Sequence, residues 1–199
     1  MSEGSPAVTP RLQRWFWVQL AHWCHVFRQT DTAIKYYGLA LAATPDDPQI
    51  LAGMGYELMH AGRKRDALAM FDRAVAIRPE WAEVQFGRAL LLQEEGDHEA
   101  ALAAFDLALA VNPDHDRAWY GKALSLIALQ RKDEAVAPLE RNTKLQPMSP
   151  YGWYQLARVQ FDRGRTDKAR AILDHLATFE PKVAAQLARE TGLPAPPRP

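Results

Sequence analysis

The stretch ALAMFDRAVAIRPEW at 67–81 returns as ALAAFDLALAVNPDH at 101–115, with eight of fifteen residues unchanged after a shift of 34. The same step places Pro45, Pro79, Pro113, Pro147 and Pro181 on one lattice, and Ala33, Ala67, Ala101, Ala135 and Ala169 on another. A period that holds along most of a chain means one supersecondary unit used repeatedly, each copy burying its apolar face against the next. Within the period, apolar residues recur three and four apart, as at Leu102, Phe105, Ala108 and Leu109. That spacing is helical and not the alternation of a strand.

Punctuation divides each period into two helices. Asp47 before Pro48 and Ser149 before Pro150 read as side-chain N-caps with proline at the first helical position, where its missing N–H is not needed. Thr30 and Thr166 read as caps of second helices, and the lattice prolines follow the last turns. The repeats are expected at 14–47, 48–81, 82–115, 116–149 and 150–183, after an N-terminal extension at 1–13. A closing amphipathic helix is expected at 182–192, with Val183, Ala184 and Leu187 on one side, and a flexible tail at 193–199.

A helix-turn-helix period of 34 residues resembles the tetratricopeptide repeat family, whose pattern is W-x2-L-G-x2-Y, then A-x3-F, then P. Repeat five carries Trp153, Leu156, Ala157, Gln160, Ala169, Leu173 and Pro181; repeat two carries Leu51, Met54, Gly55, Leu58, Ala67, Phe71 and Pro79. The resemblance implies an all-α, right-handed solenoid of five helix pairs plus a C-terminal capping helix. Repeat four departs from the pattern: Gln130 stands for the turn glycine, Leu139 for the aromatic and Asn142 for the small alanine. Pro138 falls inside its second helix, where a kink is expected, with the Glu134 carbonyl losing its helical partner.

The resemblance also implies a surface. First helices line the concave face of such arrays, and the positions that point into it fall here on Tyr56, Met59, Phe86, Leu90, Arg117, Tyr120, Leu124, Tyr151, Tyr154, Arg158 and Phe161. Gly53, Gly87 and Gly121 share one of these positions, and the expectation is that they leave room for a ligand against the helix backbone. Family members that clamp a C-terminal carboxylate use lysine, arginine and asparagine. The matching residues here are Ala52, Tyr56, Gly87, Arg117 and Gly121, which leave one cation, so that mode is rejected.

Other chemistry is sparse. Lys plus Arg and Asp plus Glu are 24 each, so no net field draws the chain to nucleic acid or an anionic membrane. The single cysteine, Cys24, excludes an intramolecular disulfide and suits a reducing compartment, read here as the cytoplasm. It falls on the buried side of the first helix and reads as a packed thiol. His22 and His25 share a helix face without a nearby carboxylate, so no metal and no cofactor are assigned. The Arg63–Arg65 run reads as a solvated turn. No secretory pattern opens the sequence, so the mature chain is read as starting at Met1, with membrane contact peripheral at most.

The reading is a non-catalytic adaptor that holds an apolar or aromatic peptide or helix in its groove, Arg117 and Arg158 selecting an acidic flank. The alternative is a structural subunit of a larger assembly, membrane-associated or not, that docks through its N-terminal helix. There Leu12, Phe16, Trp23 and Phe27 fall within about 60° of one another at 100° per residue, an apolar stripe at the open end of the array. A two-fold homodimer is the simplest partner for such a stripe, although residues 1–10 folding back over it would also cover it.

Overall fold

The computed structural model describes residues 9–194. Among them are eleven α-helices and no strand: α1 Pro10–Val26, α2 Thr30–Ala43, α3 Pro48–His60, α4 Lys64–Ile77, α5 Ala82–Glu94, α6 His98–Val111, α7 Asp116–Ala128, α8 Lys132–Leu145, α9 Pro150–Asp162, α10 Thr166–Ala177 and α11 Pro181–Thr191. The expectations for residues 1–8 and 195–199 lie outside the described residues. α1 begins at Pro10, four residues ahead of the first repeat boundary expected from the lattice. The contacts divide the chain into two compact parts, 1–92 and 93–199.

Each helix pair is joined by a turn whose lattice position lies in the left-handed region: Arg28 at φ 57°, Gly62 at 75°, Gly96 at 85°, Gln130 at 59° and Gly164 at 72°. Glycine adopts that conformation without penalty, whereas a side chain there meets its own backbone. Arg28 and Gln130 therefore carry that cost at their turns. Gln130→Gly is expected to stabilise the protein by about 0.5–1 kcal/mol, the relief of about 1–2 kcal/mol being offset in part by a more flexible unfolded chain. A chemical-denaturation midpoint that falls in this variant would show that the Gln130 side chain contributes more than its backbone costs.

The caps are mixed. Asp47 Oδ1 accepts from the Gln49 and Ile50 N–H groups, as its Asp-Pro setting predicts. Ser149 makes no such bond, and Thr30 and Thr166 sit inside their helices as first residues. Gln29 and Arg165 hold the cap positions in their place, without side-chain bonds. α8 runs on through Pro138, which is buried, so the proline does not end the helix.

The lattice prolines have a second role. A carbonyl just past a helix end lacks an intrahelical partner, and at Pro79, Pro113 and Pro147 the fourth residue of the next repeat supplies one, whereas the Pro45 carbonyl accepts from Arg73. Gln85 Nε2 donates to the Pro79 carbonyl at 2.9 Å, and the Trp119 and Trp153 indole N–H groups donate to the Pro113 and Pro147 carbonyls at 2.8 Å. Proline stops one helix, and its carbonyl then fixes the start of the next.

Large rings fill the joints between repeats. In the first part Phe71 of α4 is fully buried, and a Cβ added to Gly55 of α3 would lie 2.5 Å from its ring. The same ring lies against Gly87 of α5, and the Tyr37 ring of α2 lies against Gly53 of α3. In the second part Phe105 of α6 meets Gly121 of α7 in the same way. Interiors pack at crystal-like density, so each ring needs a missing side chain opposite it. Asn142 follows the same logic. It is larger than Ala40, Ala74 and Ala108 of repeats one to three, its Oδ1 lies against Gly152, and its Nδ2 donates to the Asp116 carbonyl at 2.9 Å. At the C-terminus, α11 buries Ala184, Leu187 and Ala188 against Ala157, Leu173 and Leu176.

Candidate functional site

The expected surface residues fall on the first helices of both parts. In the first part little is left for a ligand. Phe86 is only 7% exposed, and Met59 packs against the core around Phe71. Tyr56 stands edge-on to Phe71 with ring centroids 5.0 Å apart, and its hydroxyl donates to the Glu83 carbonyl at 2.7 Å. Burial, with the Glu83 charge adding to it, pushes the Tyr56 hydroxyl up to about 12. Leu90 is half-buried. The expectation that Gly53, Gly87 and Gly121 open a path to the helix backbone is corrected: the rings of Tyr37, Phe71 and Phe105 occupy that space. Their glycines serve packing between repeats.

In the second part more surface remains. Tyr151, at the start of α9, is 70% exposed, and Arg117, at the start of α7, is exposed as well. Tyr120 is half-buried one turn along α7 from Arg117. Burial raises its hydroxyl, the Gln155 amide opposes that shift by hydrogen bonding, and Tyr151 adds to it. Leu124 and Phe161 are half-buried on the same two helices.

Tyr154 and Arg158 have a partner that the repeat pattern does not disclose. The Tyr154 hydroxyl donates to Glu190 Oε2 of α11, and Arg158 Nη1 donates to the same oxygen at 3.0 Å. Hydrogen bonds from Tyr154 and from the Gln186 amide, together with the Arg158 charge, hold the Glu190 carboxyl below its usual range. The closing helix thus lays a carboxylate on the cation expected to select an acidic flank. Glu190 was missed because it lies outside the 34-residue lattice.

Leu12, Phe16 and Trp23 of α1 and its C-cap Phe27 are between 49% and 67% exposed, and Trp15 of α1 is 59% exposed. The opposite side of α1 is engaged, with Trp17 stacked on Tyr36 of α2 at 5.7 Å. Cys24 is half-buried. The histidine pair of α1 is separated: His22 is exposed, whereas His25 Nδ1 lies 2.5 Å from Glu57 Oε1 of α3. Arg63 pairs with Asp66 at 2.7 Å. Among the described residues no helix is long and apolar enough to cross a membrane.

Models of the tetratricopeptide repeat match residues 28–91, 86–141 and 150–175. The chain belongs to the tetratricopeptide repeat family. Members of this family serve as protein–protein interaction scaffolds, and the chain is of that kind. A search of curated proteins finds no match. Among solved structures, the chain is similar to the MamA protein, with a TM-score of 0.81, 20% identity and coverage of 87% of this chain and 94% of that one. It is similar to YrrB, described as a tetratricopeptide protein with an unusual peptide-binding site, at a TM-score of 0.80 and 18% identity over 87% and 90% of the two chains. A tetratricopeptide repeat protein from Parabacteroides merdae aligns at 0.79 and 20% identity over 91% and 74%. At these identities the likeness is one of fold.

Proposed function

We propose that this tetratricopeptide repeat protein is an adaptor that holds an apolar or aromatic peptide or helix against α7 and α9, the first helices of repeats four and five. The observation that carries the reading is Tyr151, a large ring left 70% exposed on α9, the helix that also supplies the Gln155 amide to the half-buried Tyr120. Tyrosines of this kind give contact area at small entropic cost and keep a hydroxyl for hydrogen bonding, which is why they anchor interfaces. The peptide-binding site described for YrrB supports the same use of the fold. An acidic flank on the ligand would have to displace Glu190 to reach Arg158.

A photo-crosslinking residue at position 151 is expected to capture the partner, and the affinity of the purified pair then tests the assignment. Tyr120→Ala with Tyr151→Ala should weaken binding by about 2 kcal/mol or more, roughly 30-fold, without loss of helicity. Unchanged affinity would move the binding surface away from α7 and α9.

A second reading rests on α1. Six large apolar side chains, Leu12, Trp15, Phe16, Trp23, Val26 and Phe27, are exposed on or at the end of that one helix. A contiguous surface of that kind marks an interaction site. In this reading the chain is a subunit that docks through α1, most simply onto a second copy of itself.

A further inference from the structure

We propose that His25, Glu57 and His60 form a binding site for a divalent transition metal, zinc by the character of the ligands, which ties the end of α1 to the end of α3. One ligand atom from each of the three residues lies within 4.8 Å of the other two. Glu57 and His60 are three apart on α3 and so share a face, and His25 reaches across from the last turn of α1, its ring stacked on that of His60 with centroids 6.3 Å apart. Two imidazoles and a carboxylate are a zinc ligand set that leaves a fourth position to solvent.

Zinc held at about 2.0–2.2 Å by three such atoms sets them about 3.3 Å from one another in a tetrahedron. The His25–Glu57 pair must therefore open from 2.5 Å and His60 must close in. Both imidazoles are exposed and can rotate by that amount. Glu57 is the fixed member, since it is only 3% exposed on the floor of a cleft lined by His25, Val26, Arg28, Thr30 and His60. A carboxylate taken out of water needs a counter-charge, and the polar contact recorded for Glu57 is with the His25 imidazole.

Two further features favour a cation. His25 and His60 both stand in the last turns of their helices, where the unpaired carbonyls carry partial negative charge. The buried carboxylate also repels the anion that Arg28 and two imidazoles would otherwise attract. Glu57 therefore decides the sign of the ligand.

The test uses the untagged full chain, stripped of metal and titrated with zinc chloride by calorimetry. Wild type is expected to bind one equivalent and to melt at a higher temperature with zinc, because a ligand of the folded state stabilises it. His22→Ala, on the same helix but outside the cluster, should behave as wild type. His60→Ala and Glu57→Gln should each bind at least about 10-fold more weakly. Because His60 is exposed, its variant reports on the site even if Glu57→Gln fails to fold. No saturable binding by wild type, or wild-type affinity in folded His60→Ala, would overturn the assignment.

Discussion

Phe71→Ala is expected to destabilise the protein by about 3–5 kcal/mol and to lower its melting temperature by roughly 10 °C or more. Phe71 is fully buried and its ring fills the space left by two glycines, Gly55 on α3 and Gly87 on α5. Neither glycine can extend a side chain into the vacated volume, so the cavity persists and adds to the lost transfer energy. Ile77→Ala on the same helix is the control: Ile77 is 46% exposed, and its loss should cost less than about 1 kcal/mol. Equal losses in the two variants, measured by denaturant unfolding, would mean that the joint between repeats relaxes around the missing ring.

The second large effect is expected at α1. If the exposed stripe closes a two-fold dimer, light scattering on the purified chain should give twice the monomer mass, and Phe16→Glu with Trp23→Glu should return it to monomer. Two charges set into an apolar interface have no partners there, and a desolvated unpaired charge is among the most costly changes an interface can suffer. Both side chains are about half exposed, so the folded subunit should tolerate the change and keep its circular dichroism. A monomeric wild type would remove the dimer, and a dimer that survives both substitutions would place its interface elsewhere.

Most of the fold can be read in the chain because the lattice residues act locally. Proline just past a last turn cannot continue the helix, although Pro138 inside α8 does not end it, glycine suits a left-handed turn in any context, and Asp47 caps α3 because an Asp-Pro pair carries its own geometry. Ser149, Thr30 and Thr166 show the limit of that reasoning, since a suitable side chain near a helix start still needs the right rotamer and position. The candidate sites are less legible because they join residues that the period keeps apart. Glu57 lies 32 residues from His25, and Glu190 lies 32 from Arg158, so a search within one helical turn finds neither. The glycines at 53, 87 and 121 were visible as a series, but the rings that fill them come from the preceding repeat. Tyr37, Phe71 and Phe105 each stand sixteen residues ahead of the glycine they cover, so the packing is written in the sequence as a ring-to-glycine spacing.

The ring-on-glycine joints also govern how an array like this can change in length. Phe71 with Gly87, and Phe105 with Gly121, are chemically the same coupling. A 34-residue block bounded by two such couplings can be duplicated or excised and still present a ring to a glycine at the new seam. After repeat four the corresponding positions are Leu139 and Gln155, while Asn142 and Gly152 form a matched pair of their own. Excising 116–149 would set Phe105 opposite Gln155, a ring against a side chain. The seam between repeats four and five is thus of a different kind, and loss of repeat four would break the ring-on-glycine series.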